Sequence, residues 1–225
     1  FLIRVFPHVA AERWSSRLRD GRLLDDAGRP ITGETAYRPG RRILYFREVE
    51  HEPVIPFAEQ ILFQNSEILV ADKPHFLPVT PGGDYVEECL LNRLRARTGI
   101  SDLAPMHRLD RETAGLVLFS VNPDTRGLYH ELFTRGEVEK TYEALAHMDQ
   151  PPAERRWMIE NRIERGEPRF RMRIVPGVAN ARSVIDLMEV SGNRAHFRLH
   201  PITGKTHQLR VHMSGLGFPI LNDRY

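Results

Sequence analysis

Ser183-Val184-Ile185-Asp186-Leu187-Met188-Glu189-Val190 and, after four intervening residues, Ala195-His196-Phe197-Arg198-Leu199-His200 read as two strands with no helix between them. Working back along the chain, the same signal recurs at Val138 to Ala146, Leu116 to Val121, Ile68 to Ala71 and Ile61 to Phe63. Helices are fewer. Val86 to Arg97 turns Cys89, Leu90 and Leu94 to one side, carries Arg93, Arg95 and Arg97 among its other positions, and meets a stop signal at Gly99. Asn122-Pro123 supplies an N-cap and a first-turn proline for a second helix running to about Phe133. Strands that follow one another without strict alternation with helices predict an α+β fold, a mostly antiparallel mixed sheet core with flanking helices.

With 225 residues, 41% of them hydrophobic and 28% charged, the chain has enough apolar material for a buried core and room for one ordinary domain plus a small companion. Its longest apolar stretches, such as Gly115 to Phe119, fall far short of the roughly 18 to 20 residues that cross a bilayer as a helix, so no membrane partner is expected. The single cysteine, Cys89, cannot form an internal bridge, and no leader of arginines followed by apolar residues opens the chain; both point to a cytoplasmic setting. Basic residues number 32 and acidic ones 30, so affinity for a nucleic acid would have to come from a patch. Residues 1–50 carry ten arginines against seven acids, whereas 51–90 carry one lysine against seven. The change of character suggests a small basic module over 1–50, a linker over 51–60 containing Pro53 and Pro56, and the main domain over 61–225. Within the module, Ala10 to Asp20 reads as a basic helix bearing Trp14 and Leu18, and Arg41 to Arg47 as a strand after the Pro39-Gly40 turn.

Three segments concentrate groups capable of chemistry. Met106 to Gly115 sets His107, Arg108, Asp110, Arg111 and Glu112 just ahead of an apolar strand. A carboxylate flanked by Arg108 and Arg111 is expected to stay ionised, which suits Asp110 as a nucleophile or base; a solvated loop of ion pairs is the plain alternative. Thr203 to His212 contains Gly204-Lys205-Thr206, but a phosphate loop needs glycine at the position held by Leu199, so no nucleotide cofactor is expected. His207 and His212 stand five apart, off the one-turn spacing with which two helical imidazoles share a metal, and no metal is expected. Third, Glu139 to Ala144 places Lys140 and Tyr142 on one face of a strand, where the ring either packs in a core or lies under a planar ligand.

Taken together, these segments resemble the RluA family of RNA pseudouridine synthases. His107-Arg108-Leu109-Asp110-Arg111-Glu112-Thr113-Ala114-Gly115 is similar to the family's catalytic loop, with Ala114 where serine is common; Lys140-Thr141-Tyr142 resembles the tyrosine motif, and Gly204 to His212 the arginine motif. Lys73-Pro74 looks like the lysine–proline pair that precedes them. The likeness covers roughly residues 60–225. It implies an isomerisation without cofactor or metal, in which the bond from ribose to the uracil nitrogen breaks, the base turns and a carbon–carbon bond forms. It further implies that Asp110 is the catalytic carboxylate, by covalent addition or by elimination to a glycal; that Arg210 pairs with it; and that Tyr142 lies against the uracil. Arg108 would fill the space left by the flipped nucleotide. His107, Arg111, Lys73, Lys140, Lys205, His207, Gln208 and Leu209 would join it on the substrate- and RNA-binding side. The implied partner is RNA, ribosomal more than transfer, and the implied state a monomer. More faintly, Trp14, Arg17, Leu18, Gly21 and Arg38-Pro39-Gly40 resemble a small RNA-binding module related to a ribosomal protein. A start at Phe1 and an end soon after the last motif lead us to expect a longer natural polypeptide. Two rivals stand beside this reading: a catalytically silent RNA-binding protein of the same fold, and a glycosidase-like hydrolase using Glu112 as second carboxylate.

Overall fold

The computed structural model describes residues 1–7, 9–45, 49, 51–168 and 171–223. Among them, every strand pairing is antiparallel. A four-stranded sheet has the order β3 (Gln60–Gln64), β4 (Ile68–Lys73), β6 (Gly115–Ser120), β5 (Ala104–Pro105). A five-stranded sheet runs β7 (Tyr142–His147), β11 (Arg194–Pro201), β10 (Ala181–Ser191), β8 (Arg156–Arg165), β9 (Met172–Val175). The expected α+β architecture is therefore present. The opening pair of strands is the β10–β11 hairpin, in register from Ser183 opposite Pro201 to Ser191 opposite Arg194, with one shift between Leu187 and Glu189.

The two larger sheets each have their own core, because strands such as β4, β7 and β11 alternate apolar residues inward. Leu69 and Ala71 of β4 and Val117 and Phe119 of β6 meet Leu90, Leu91 and Leu94 of helix α3 (Leu90–Thr98). Ala144, Ala146, Ile185, Phe197 and Leu199 close the second core with Met213 of helix α5 (Gln208–Gly215). Tyr142 packs against both. Truncating a ring such as Phe119 or Phe197 would cost about 3–5 kcal/mol, so these cores hold the connecting loops at fixed positions. α3 starts later than the sequence suggested, since residues 86–88 are occupied with Glu52 as described below. The helix after Asn122-Pro123, α4 (Arg126–Arg135), also starts late: Asn122 Oδ1 accepts from Asp124 N at 3.0 Å and forms a turn ahead of it.

Residues 51–60 do not run free between two parts. The Glu52 carboxylate accepts from the N–H groups of Val86, Glu87 and Glu88 at 2.6, 3.0 and 2.6 Å, Ile55 is buried in the first core, and Arg93 donates to the carbonyls of Ile55 and Phe57. Ahead of this strap, α1 (Leu2–Val5) and α2 (Ala11–Arg19) precede a two-stranded ladder of β1 (Leu23–Leu24) and β2 (Leu44–Tyr45). The strand read over 41–47 keeps only Leu44–Tyr45; residues 46–48 lie outside the described residues. Buried Trp14 anchors α2, and the Arg17 guanidinium lies 5.0 Å from the ring centres of both Trp14 and Tyr45.

Candidate active site

The loop that joins β5 to β6 is held from three sides. Leu109 is buried in the first core, so its neighbour Asp110 is turned to the other side of the backbone, half exposed. His107 accepts the Leu118 N–H on Nε2 at 3.1 Å and stacks on Phe133 at 5.1 Å, which ties the front of the loop to β6 and α4. Gly115 ends the loop at φ 126°, a conformation that favours glycine, and starts β6 there. Beneath the loop, Lys73 Nζ donates to the carbonyls of Leu77 at 2.8 Å, Pro74 at 3.0 Å and Arg111 at 3.2 Å. Burial pushes the Lys73 ammonium down to about 8, with the charges of Asp110 and Asp72 pulling the other way.

Opposite the loop stands the start of α5. His207 adopts a left-handed φ of 54° and begins the helix, and Gln208 locks the preceding turn: its amide donates to Arg182 O and Ser183 Oγ at 2.8 Å each, and its Oε1 accepts from Thr203 Oγ1 and Lys205 N at 2.7 and 3.0 Å. Two residues on, Arg210 reaches across a separation of 100 residues and donates from Nη1 to Asp110 Oδ2 at 2.6 Å. Its Nε donates to Asp223 Oδ2 in a short contact. One guanidinium thus bridges two carboxylates, its side chain only 11% exposed against 32% for Asp110. A withdrawn cation and a more open anion leave the second face of Asp110 accessible while its orientation is fixed.

His207 Nε2 lies 3.9 Å from the same Asp110 oxygen. Burial lowers the His207 imidazole below its ordinary range, Asp110 raises it in part and Arg210 lowers it again, so the fixed positive charge beside Asp110 is the arginine. Burial, then the Asp110 charge, raises the Tyr142 phenol, which keeps its proton at neutral pH. The ring stands at the first position of β7, opposite Leu199, where the two cores meet. A carboxylate aimed by a guanidinium, with a protonated phenol ring in its field, can attack or deprotonate a ligand laid against that ring.

The structure brings together Asp110, Arg210, His207 and Tyr142, with Arg108 and Lys205 exposed and Lys140 half exposed nearby; the Lys140 ammonium is 4.0 Å from where a Cβ on Gly204 would lie. Arg111 is partly turned away, its guanidinium 5.7 Å from the Tyr85 ring and 3.6 Å from Glu112. Four residues expected on the RNA side need correction. Lys73 is fully buried and spends its three donors on backbone carbonyls. Gln208 is buried and saturated by internal bonds. His107 is occupied by Leu118 and Phe133, and Leu209 packs on the second core. Their work is to build the site. Asp223 was missed: an aspartate in Asn222-Asp223, outside any motif, gives no sign of its partner 13 residues earlier. Among the described residues, no group of three or more His, Cys, Asp or Glu is placed to hold a metal ion, and His212 faces Asn161 at 3.1 Å.

This combination of antiparallel sheets, a carboxylate loop and a facing arginine defines a known class of RNA-modifying isomerase. Residues 67–215 match the family described as RNA pseudouridylate synthase, and the chain belongs to that family, to its RluA type. The mitochondrial tRNA pseudouridine(32) synthase of Saccharomyces cerevisiae is 30% identical over 99% of this chain and 49% of its own length. The dual-specificity RNA pseudouridine synthase RluA of Haemophilus influenzae is 29% identical over 79% of this chain and 81% of its own. Among solved structures, human RNA pseudouridylate synthase domain containing 1 superposes with a TM-score of 0.63 at 26% identity, over 77% of this chain and 71% of that one. The chain spans about half the length of the yeast relative.

Proposed function

We propose that the chain isomerises uridines in folded ribosomal or transfer RNA to pseudouridine, with Asp110, Arg210 and Tyr142 as the working groups. The observation that carries this is the 2.6 Å Arg210–Asp110 pair, formed between two separate motifs beside the Tyr142 ring. In the reaction the C1′–N1 bond breaks, the uracil turns, a C1′–C5 bond forms, C5 loses its proton and N1 gains one. Asp110 acts at the ribose, as nucleophile or as base. Arg210 keeps its carboxylate aimed, and Tyr142 supports the uracil and takes or relays a proton. Extracting the nucleotide costs a few kcal/mol, and stacking on one aromatic ring returns about 1–3 kcal/mol, so the two nearly cancel. Exposed Arg108 fills the space left by the flipped nucleotide, exposed Lys205 holds phosphate, and binding weakens as salt rises. Residues 1–50 serve as a second RNA contact, the whole acting as a monomer in the cytoplasm.

The test uses RNA carrying tritium at C5 of uridine. Isomerisation releases the label to water and yields pseudouridine on digestion. Free uracil would instead support hydrolysis, and tight binding without release would support the silent RNA-binding reading.

A further inference from the structure

A recess of about 270 Å³ opens beside the same loop and away from the Arg210 contact. Phe57, Gln60, Asp72, His75, Phe76 and Ala114 are among the residues that line it. Phe76 has φ 68°, in the left-handed region that a bulky side chain enters only at a cost in free energy. Burial of the ring would explain such a cost, but the residue is 43% exposed, and its neighbour in the recess, Phe57, is 48% exposed. Their ring centres lie 6.3 Å apart at 36°. The backbone is held in an unfavourable conformation while the ring, flanked by His75 and Phe57, stays close to half exposed. That is how a stacking platform is built, and it is not how a core is built.

The surroundings indicate what the platform receives. His75 Nδ1 lies 2.7 Å from the Glu112 carbonyl, so the platform is fastened to the Asp110 loop. Ala114 is four residues from Asp110, a reach of at most about 14 Å, comparable to two extended nucleotides. Strand alternation sends Asp72 to the face opposite buried Lys73, alongside its cross-strand partner Gln60, and places an acceptor and an amide at the rim. We propose that this recess receives an unstacked nucleobase of the RNA, one or two nucleotides from the isomerised uridine, stacked on Phe76 with an N–H edge toward Asp72. The proposal rests on the synthase reading for its ligand. An apolar peptide would leave Asp72 and Gln60 without a role, which disfavours a protein occupant.

The experiment uses the full chain and bulk RNA labelled with tritium at C5 of uridine. Phe76→Gly removes the ring and permits the same backbone. It should raise KM by about 5- to 100-fold. It should leave kcat within about threefold and shift the thermal midpoint little, because relief of the left-handed backbone opposes the lost ring contacts and the freer unfolded chain. Phe76→Trp should keep KM near that of the wild type. Ultraviolet irradiation of wild-type protein with the RNA should yield a nucleotide adduct on the peptide containing His75 and Phe76. An unchanged KM in Phe76→Gly, a lowered midpoint with a matching loss of kcat, or adducts elsewhere but none over residues 57–76 would each overturn the proposal. If wild-type protein releases no tritium yet forms the adduct at Phe76, the recess stands as a base site and the synthase reading falls.

Discussion

Two cations meet the loop that carries Asp110, one from behind and one from in front, and their partners are of opposite kinds. Lys73, behind, donates only to the carbonyls of Pro74, Leu77 and Arg111. Arg210, in front, lies between the carboxylates of Asp110 and Asp223. Both are withdrawn from water, so burial alone does not separate scaffold from chemistry. The acceptor does: carbonyl oxygens fix a backbone and leave no anion free to react, whereas a guanidinium shared between two carboxylates aims one of them at the cleft. The contrast also explains why an ammonium serves at one position and a planar fork at the other.

The largest effect should come from the anion itself. Asp110→Asn is expected to lower tritium release at least 10³-fold, about 4 kcal/mol, and to change RNA affinity by less than about tenfold in filter binding. Full activity in that variant would end the assignment. Next comes the front cation: Arg210→Ala should lower kcat by about 10²- to 10³-fold by leaving two carboxylates without their shared donor, and Arg210→Lys should recover only part, since a point charge cannot serve both.

The rear cation should show in stability. Lys73→Met leaves carbonyls without their donor and should cost about 1–3 kcal/mol in denaturant titrations at neutral pH. Because burial lowers the folded-state ammonium to about 8 from an ordinary 10.5, the unfolded chain takes up this proton first as pH falls. The stability tied to the neutral amine is complete above pH 10.5 and lost as pH falls through 8, so the wild type should gain on Lys73→Met by on the order of 3 kcal/mol between pH 8 and 10.5. A gap that narrows over that range would contradict the placement of Lys73. The smallest effect is expected at Asp223→Asn, about tenfold in kcat with KM unchanged, because the neutral amide still accepts from Arg210. A loss as large as that of Arg210→Ala would make Asp223 more than a support.

Much of this was legible in the chain. The strands at 183–190 and 195–200 were readable because each is a short run rich in apolar residues, much of it buried. Asp110, Tyr142 and Arg210 stood out as candidates because each lies in a local motif, and the structure brings the three together. β8 and β9 were not readable, since half or more of Arg156–Arg165 and Met172–Val175 is exposed beyond β10 at the sheet's edge, and polar residues there dilute the period-two signal. Lys73 could not be told from a surface lysine, because its partners are backbone carbonyls, which carry no sequence signature. Asp223 and the Glu52 strap escaped for a related reason: a single acid that meets its partner across a fold leaves no pattern at either end.

The Glu52 strap sets where the chain can be shortened. The family match begins at residue 67, and a cut at residue 60 would look safe by that measure. It would strip three N–H groups at 86–88 of their carboxylate, open the slot filled by Ile55 and release Arg93 from two carbonyls. A minimal piece meant for crystals or assays should therefore begin no later than residue 51, whatever the fate of the fifty residues before it.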